Sequence, residues 1–194
     1  MSDTTRPTRL DAINTMLAGL GEAPVASIEG TNLTYDVQIA KNTLSECLKQ
    51  VLGVGWHFNT DYDYLLTPDV NKNIFVPADA ASVDVDPMEY PDIDPVIRGN
   101  RLYDRKSQSY NFTSPIKAKI IWLIDFEELP QAAQYYITLL AARTFQARVM
   151  GSDSVNREAS QAEFMAMVAM KQDDDAQSDR TIFDSWSIAN TLMR

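Results

Sequence analysis

The chain has 194 residues, of which 45% are hydrophobic and 23% charged, and its formal net charge is −10 at pH 7. This length is typical of one domain, or of one domain with an insertion, and it can bury a core without a disulfide. The negative net charge disfavours non-specific binding of nucleic acid, whose phosphate backbone is also negative. The start lacks the order of a signal peptide, and no run of about 18 apolar residues predicts a membrane span.

The N-terminal part of the chain, residues 1–55, predicts a pair of helices. The first begins after Thr8, whose hydroxyl can cap the helix while Asp11 lies in the favourable first turn. Apolar residues then recur at helical spacing as far as Leu20.

Two elbows flank the second helix, which is predicted over about Asp36–Leu52. In the first elbow, we expect Gly21 to stop the preceding helix in a left-handed conformation and Pro24 to keep the chain extended. In the second elbow, Gly55 and Trp56 follow the predicted end of the helix and lead into the next segment. We expect the first elbow to set the angle between the two helices, which would form an antiparallel pair.

Residues 56–125 change to a period of two and predict an antiparallel β domain inserted between helical segments. Gly99 and Asn100 form a two-residue connection that is typical of a hairpin. A polar loop with several aromatic residues covers Arg101–Phe112. The predicted strands are Asp61–Leu66, Asn73–Pro77, Ala81–Asp86, Val96–Arg98, Arg101–Tyr103 and Lys117–Ile124.

Residues 126–176 predict a second pair of helices. Pro130 suits the first turn of the third helix, which is expected to end at Gly151. In the fourth helix, one apolar stripe is predicted to pack on the body of the protein, and a second face formed by Phe164, Met167 and Val168 suggests a neighbouring subunit. The stripe comprises Ala162, Met165, Ala166, Ala169 and Met170. The predicted fold is therefore α+β, a four-helix bundle formed by both chain ends with the β domain inserted.

Residues 177–194 are predicted to form a separate C-terminal arm. The polar run Gln172–Asp179 precedes large apolar side chains, which are costly to leave in water on a terminal arm. Two interpretations stay open: the arm folds back on its own domain, or it docks on another protein with the polar run as a mobile tether. The candidate docking residues are Ile182, Phe183, Trp186 and Ile188.

A contrast of charge divides the predicted β domain. Residues 83–94 carry five acidic and no basic residues, whereas residues 96–120 carry six basic residues and one acidic residue. Opposite patches suit a head-to-tail contact between copies, which can close a ring. They also suit pairing within one sheet, and basic residues beside aromatic ones suit nucleic-acid stacking. The candidate ring or nozzle contacts are Arg98, Arg101, Tyr103, Arg105, Lys106, Asp84, Asp86, Asp92 and Asp94.

Residues for catalysis or metal binding are few. His57 and Cys47 are the single histidine and cysteine, so we expect a structural histidine and a buried reduced thiol rather than a zinc site. Carboxylate pairs are the remaining enzymatic option, because two of them can hydrolyse a glycosidic bond. In an acidic chain they are more typical of a solvated surface, and we predict no catalytic residue, metal or cofactor. The carboxylates considered are Asp84, Asp86, Glu89, Asp92, Asp94, Asp125, Glu127 and Glu128.

Five motifs in this order resemble the tail tubular protein A family of autographivirus-type short-tailed bacteriophages, the podoviruses. The resemblance covers most of the chain, although each motif alone is weak. The motifs are Gly21–Val25 with Glu29–Gly30, Gly55–Asn59, Tyr103–Ser109, Asp125–Pro130 and Phe145–Gly151.

The resemblance implies a structural virion protein rather than an enzyme: an adaptor ring of twelve copies between the portal and the tail nozzle, which is tail tubular protein B. The ring would form part of the DNA ejection channel, and double-stranded DNA would pass without specific binding. The arm would then dock on the portal. The implied location is the tail of the virion, after assembly in the host cytoplasm. Two alternatives are kept: a glycan hydrolase acting on host surface polysaccharide, and an accessory DNA-binding module.

Overall fold

The computed structural model describes residues 6–30, 33–150 and 156–177. These residues form four helices and two antiparallel sheets, so the α+β class is confirmed. They group into two compact units: a helical unit up to Leu48 and from Phe126 onward, and a β unit, Lys49–Asp125. The domain limits expected from the sequence stay a prediction.

The first helix, α1 (Arg9–Ala18), begins as its sequence predicts. Thr8 Oγ1 accepts a hydrogen bond from the Asp11 N–H at 3.2 Å, and Asp11 Oδ2 accepts one from the Thr8 N–H at 2.9 Å. This reciprocal capping box satisfies two backbone donors that a helix start leaves without partners.

The chain leaves α1 through a left-handed turn at Gly21, where φ is +78°. The N–H of Glu22 donates to the carbonyl of Leu17 at 3.1 Å and closes the helix end. Farther on, the side chain of Asn14 holds the returning chain, because it donates to the Val25 carbonyl at 3.1 Å and accepts from the Val25 N–H at 2.8 Å. No sequence pattern predicts this role for Asn14.

Replacing Gly21 by valine is expected to lower the free energy of unfolding by about 1 kcal/mol or more, because a β-branched side chain resists a positive φ. No atom lies within 4 Å of the position that a Cβ would take, so the effect comes from the backbone alone. Urea denaturation of the purified chain measures it. Gly21→Asn is the control and should lose less, since asparagine tolerates the left-handed conformation. Equal stability of the valine variant and the wild type would contradict this account of the elbow.

The second helix, α2 (Tyr35–Leu52), buries the apolar face that its periodicity predicts. Cys47 on this face is a free, buried thiol, and burial raises its pKa above the ordinary value. Thr43 is also fully buried, and its hydroxyl accepts a hydrogen bond from Arg148 at 2.9 Å. The buried apolar residues of α2 include Val37, Ala40, Leu44, Cys47, Leu48 and Val51.

The third helix, α3 (Gln131–Met150), packs closely against α1 and against the fourth helix, α4 (Asn156–Gln177). The same Arg148 also binds Glu46 of α2, with 2.6 Å between Nη2 and Oε2. The buried Gln134 donates to the carbonyl of Phe126 at 2.8 Å and so fixes the segment before α3. Polar groups therefore accompany the apolar contacts inside the helical unit.

The predicted packing stripe of α4 is wrong at three of its five positions, because Ala162, Met165 and Ala169 are exposed. Ala166 and Met170 are buried as predicted. The inward face also holds Glu163, which forms an ion pair with Arg143 of α3. This pair turns the helix away from the orientation that apolar periodicity alone favours.

The polar run before the arm does not form a tether over its described part. Residues 172–177 are the last part of α4, in which Asp173 and Asp174 are half-buried. Glutamine and alanine in this stretch favour the helix. The predicted docking residues Ile182, Phe183, Trp186 and Ile188 lie outside the described residues.

The β unit contains a three-stranded sheet in the order β1-β5-β2 and a hairpin formed by β3 and β4. The pairing of β1 with β5 is irregular between Asp61 and Tyr64, and Asp63 there has φ +56°. Gly99 and Asn100 connect the hairpin, as predicted. The strands are β1 (Thr60–Leu66), β2 (Ala80–Asp84), β3 (Pro95–Arg98), β4 (Arg101–Asp104) and β5 (Ile116–Trp122).

The strand predicted over Asn73–Pro77 is wrong, because this segment forms a single antiparallel bridge between Phe75 and Arg101. Two backbone hydrogen bonds of 2.9 and 3.0 Å flank the bridge. Pro77 has no N–H with which to extend the pairing. The core of the β unit comprises Leu66, Ile74, Val76, Val83, Val85, Leu102, Phe112, Ile116, Ala118 and Ile120.

The second elbow lies at Gly55, where φ is +83°. A Cβ at this position would lie 2.6 Å from Cδ1 of Ile121. Trp56 follows and donates its indole N–H to the carbonyl of Val51 at 2.7 Å. The backbone that follows α2 therefore lies close to the side chain of Ile121 in β5 and leaves little room for a Cβ.

Asn59 joins the end of α2 to β5 from inside the β unit, with only 1% of its surface exposed. Its amide donates to the carbonyl of Leu52 at 2.9 Å and to the carbonyl of Trp122 at 2.7 Å, and its oxygen accepts from the Trp56 N–H at 2.7 Å. All three bonds satisfy backbone groups that would otherwise be costly to bury. Asn59 belongs to the motif Gly55–Asn59, but no sequence pattern predicts this role for it.

Candidate docking surfaces

One face of the β3–β4 hairpin gathers basic and aromatic side chains. Alternate residues of a strand face opposite sides: Leu102 and Asp104 are buried, whereas Arg101 and Tyr103 are half-buried. Directly opposite residues of antiparallel strands share a face, and Arg101 lies opposite both Arg98 of β3 and Phe75.

These side chains stack into a continuous cluster. The Arg98 guanidinium lies 3.6 Å from the centroid of the Tyr103 ring, and that of Arg101 lies 4.5 Å from the centroid of the Tyr110 ring. The two tyrosine rings meet edge to face at 4.9 Å. Arg101 also donates to Asn73 at 3.4 Å. We call Phe75, Arg98, Arg101, Tyr103 and Tyr110 the basic-aromatic face.

Stacking holds the two guanidinium groups by their flat surfaces and leaves N–H groups at their edges for other acceptors. Among the described residues, neither Arg98 nor Arg101 forms an ion pair with a carboxylate. Phe75 is 53% exposed. The face therefore combines exposed apolar area with positive charge that the described residues do not neutralise.

The turn after β4 is built on the buried carboxylate of Asp104. Its Oδ1 accepts from the N–H groups of Asp94 at 2.9 Å and Lys106 at 3.1 Å, and its Oδ2 accepts from the Ser107 N–H at 3.1 Å. Burial acts to raise the pKa of Asp104, but the hydrogen bonds, above all those from Ser107, outweigh it and lower the pKa below its ordinary value. From the sequence, Asp104 was predicted only as one negative charge among basic residues, without this role.

Three of the predicted contact residues pair inside the chain. Arg105 Nη2 lies 2.9 and 2.7 Å from the two carboxylate oxygens of Asp94, and Lys106 Nζ donates to the carbonyl of Pro91. For Arg105, Asp94 and Lys106 the structure shows pairing within one chain, one of the interpretations that the sequence left open. Asp84 lies opposite Lys119 in the register of β2 and β5.

The remaining acidic residues follow β2 in a turn. Asp86 accepts from the Met88 N–H at 2.8 Å, and the Tyr90 hydroxyl accepts from the backbone N–H of Lys117 at 3.0 Å, which ties the turn to β5. Met88 is 76% exposed. We call residues 86–92 the acidic turn; its three carboxylates, on Asp86, Glu89 and Asp92, are exposed and form no ion pair with a described residue.

The helical unit has an exposed apolar surface of its own. On α4, Phe164 is 57% and Met165 63% exposed, and Met150 at the end of α3 is 54% exposed. Phe164 belongs to the second face that the sequence assigned to a neighbouring subunit. Met167 and Val168, which were assigned with it, are half-buried.

The part of the chain that the structure describes offers few residues for a metal site, a membrane span or a catalytic site. No three histidine, cysteine or acidic side chains there lie together as a metal ion requires, and no helix there is long and apolar enough to cross a bilayer. His57 is exposed. Two of the carboxylates considered for hydrolysis have basic partners: Asp94 has Arg105, and Glu127 has Arg9 at 3.4 Å.

Comparison with known proteins identifies the family. The sequence model of a family described as tail tubular protein matches residues 10–180. Tail tubular protein A of Klebsiella phage KP34 is 31% identical over 148 residues, which cover 75% of this chain and 75% of that protein. Neither match supports the alternative of a glycan hydrolase. The chain therefore belongs to the tail tubular protein family, the structural proteins of bacteriophage tails.

Proposed function

We propose that this chain forms the adaptor ring that joins the portal to the tail nozzle and contributes to the DNA ejection channel. The observation that carries the proposal is the family match over residues 10–180, supported by the relative named tail tubular protein A. The proposed partners are further copies of the chain, twelve in one ring, the portal protein and the nozzle protein, tail tubular protein B. The ring belongs to the tail of the virion, is assembled in the host cytoplasm, and needs no cofactor.

The helices of the two chain ends act in this proposal as one four-helix bundle, with the β domain inserted over residues 56–125. The packing of α3 on α1 and α4 supports the bundle. So does the ion pair that joins Arg148 of α3 to Glu46 of α2. The bundle consists of residues 1–55 and 126–176, and the arm of residues 177–194 follows it.

The β unit supplies the contacts around the ring or with the nozzle. The supporting observation is the contrast between the basic-aromatic face and the acidic turn. Arg98, Arg101 and Tyr103 act on one side of the contact and Asp86 and Asp92 on the other. The paired residues brace these surfaces from within the chain: Arg105 with Asp94, and Lys106 with Pro91.

Double-stranded DNA passes through the proposed ring without specific binding. The net charge of −10 supports this, because an acidic protein repels the phosphate backbone. A channel with weak adhesion suits rapid passage of its cargo.

The arm docks the subunit on the portal through Ile182, Phe183, Trp186 and Ile188. Large apolar residues, tryptophan above all, are typical anchors of protein interfaces, where the loss of one can cost about 2 kcal/mol or more. The arm follows α4 in the sequence, and α4 itself exposes Phe164 and Met165.

Deleting residues 181–194 is expected to leave the chain folded and to abolish its binding to the portal protein of the same phage. Trp186→Ala alone should weaken binding by about thirtyfold, the equivalent of about 2 kcal/mol. Pull-down and sedimentation with purified portal measure both effects. Ser185→Ala and Ser187→Ala are the matched controls in the same arm.

Electron microscopy of the wild-type chain mixed with portal tests the whole proposal, which predicts a ring of added density on the portal. Mixtures without added density would contradict the adaptor function. A truncated chain that binds with wild-type affinity would move the docking site from the arm to the helices.

A further inference from the structure

We infer that neighbouring copies in the ring contact head to tail, with the acidic turn of one copy bound on the basic-aromatic face of the next. This inference rests on the proposed ring and names the two surfaces that meet in it. It is argued from the charges, contacts and exposed areas of the β unit.

The first step is that two arginines remain available after the pairing inside the chain. Asp94 neutralises Arg105, and Lys106 binds a backbone carbonyl. Arg98 and Arg101 have aromatic and amide contacts but no carboxylate among the described residues. Tyrosine rings already hold their guanidinium groups in place, so binding a carboxylate costs less side-chain entropy.

The second step is that the acidic turn has the complementary composition. Its three carboxylates carry no basic partner among the described residues, and Met88 lies 76% exposed between Asp86 and Glu89. Hydrogen bonds at Met88 and Tyr90 hold the turn in shape before it binds. A turn that is ordered before binding loses less conformational entropy when it binds. An apolar centre surrounded by charged residues is also typical of protein interfaces.

The third step is the chemical fit between the two surfaces. Carboxylates bind the edges of stacked arginines through charge-assisted hydrogen bonds. A methionine thioether packs well against aromatic rings, and the face offers Tyr103, Tyr110 and the exposed Phe75. The contact thus joins an apolar centre with charges around it.

The fourth step concerns symmetry. The two surfaces are different, and in the structure Asp86 and Glu89 do not bind Arg98 or Arg101 of their own chain. A contact between two different patches is heterologous, so repeating it gives a closed ring when the rotation between copies closes, and it does not give a twofold dimer. Duplex DNA also suits arginine and tyrosine, but the acidic turn in the same unit repels it.

Reversing the charges tests the contact. Arg98→Glu with Arg101→Glu, and separately Asp86→Lys with Glu89→Lys, should each weaken ring assembly by about tenfold or more, because like charges then meet at every contact. A mixture of the two variants should assemble again, since alternating copies restore opposite charges throughout. Native mass spectrometry and sedimentation, with and without portal, measure assembly, and circular dichroism checks folding. Arg98→Glu alone gives a milder variant if Arg101→Glu disturbs the hairpin.

Lys49→Glu and Asp79→Lys are the matched controls, with charge reversals at exposed positions of the β unit outside both surfaces, and should assemble as the wild type does. Normal assembly of the reversed variants, or a mixture that stays apart, would overturn the inference and leave the adaptor proposal standing. Loss of salt-sensitive binding to duplex DNA with assembly intact would assign the face to nucleic acid and also overturn it. A wild-type chain that forms no ring, alone or on the portal, would refute the adaptor proposal together with the inference.

Discussion

Replacing Gly55 by alanine is expected to lower the free energy of unfolding by about 3 kcal/mol, the sum of backbone strain and overpacking. The residue has φ +83°, which an L side chain rarely adopts. In addition, the new Cβ would lie 2.6 Å from Cδ1 and 3.0 Å from Cγ1 of Ile121. The side chain of Ile121 must shift to admit the new Cβ.

Urea denaturation of the wild type and the variant measures this effect, and two further variants separate its causes. Gly21→Ala has a positive φ but open space around it, so it should show the backbone strain alone. Ile121→Val removes Cδ1, and combining it with Gly55→Ala should recover part of the loss. A Gly55→Ala variant no less stable than Gly21→Ala would mean that the close approach to Ile121 carries no energetic cost.

Replacing Asp104 by alanine is expected to cost about 3 kcal/mol, because the N–H groups of Asp94, Lys106 and Ser107 lose a charged acceptor. Asp104→Asn should lose less, since one oxygen remains. The exposed Asp92 gives the control, and Asp92→Asn should stay within about 0.5 kcal/mol of the wild type. A stable alanine variant would show that water replaces the carboxylate in the turn.

The Asp104 contribution should also depend on pH. Its pKa in the folded chain lies below the ordinary value, so the carboxylate stabilises the fold fully above about pH 4. This stabilisation is lost as the pH falls through the folded-state pKa. Urea midpoints of the wild type and Asp104→Asn should therefore differ most near neutral pH and converge in acid. A difference that stays constant down to pH 3 would contradict this role of the charge.

Elements governed by local rules were predictable from the sequence. The Thr8 capping box, the buried face of α2 and the hairpin at Gly99 each depend on residues a few positions apart. Cys47 lies on the predicted apolar face and is buried. In these cases the pattern within one segment contains all the information that the local structure needs.

Elements decided by polar contacts between distant segments were not predictable. Glu163 turns inward because Arg143 of another helix binds it, and this reversed the exposure of Met165. Asn14 and Asn59 take their roles from backbone groups that only folding brings near. Periodicity measures apolar burial and does not register a polar partner, whether that partner lies 11 residues away, as Val25 does from Asn14, or 20 residues away, as Arg143 does from Glu163.

The candidate surfaces show the same division. Composition was enough to place opposite charges in residues 83–94 and 96–120. Which arginines stay available depends on the bond between Arg105 and Asp94 and on the stacking of Arg98 on Tyr103. The register of the hairpin decides both. Phe75 joins the basic-aromatic face through its bridge to Arg101. The sequence predicted a strand at Phe75 but not this pairing.

The irregular pairing of β1 has a consequence for a protein proposed to assemble in many copies. β1 is an outer strand of its sheet and exposes Tyr62, Tyr64 and Leu65, so a regular backbone there would be a template for strands of other chains. The bulge at Asp63 interrupts that row of donors and acceptors and adds a charge. The bulge thereby disfavours open-ended fibre growth through β1. Association then depends on contacts between side-chain surfaces, which can close into a ring with a fixed number of copies.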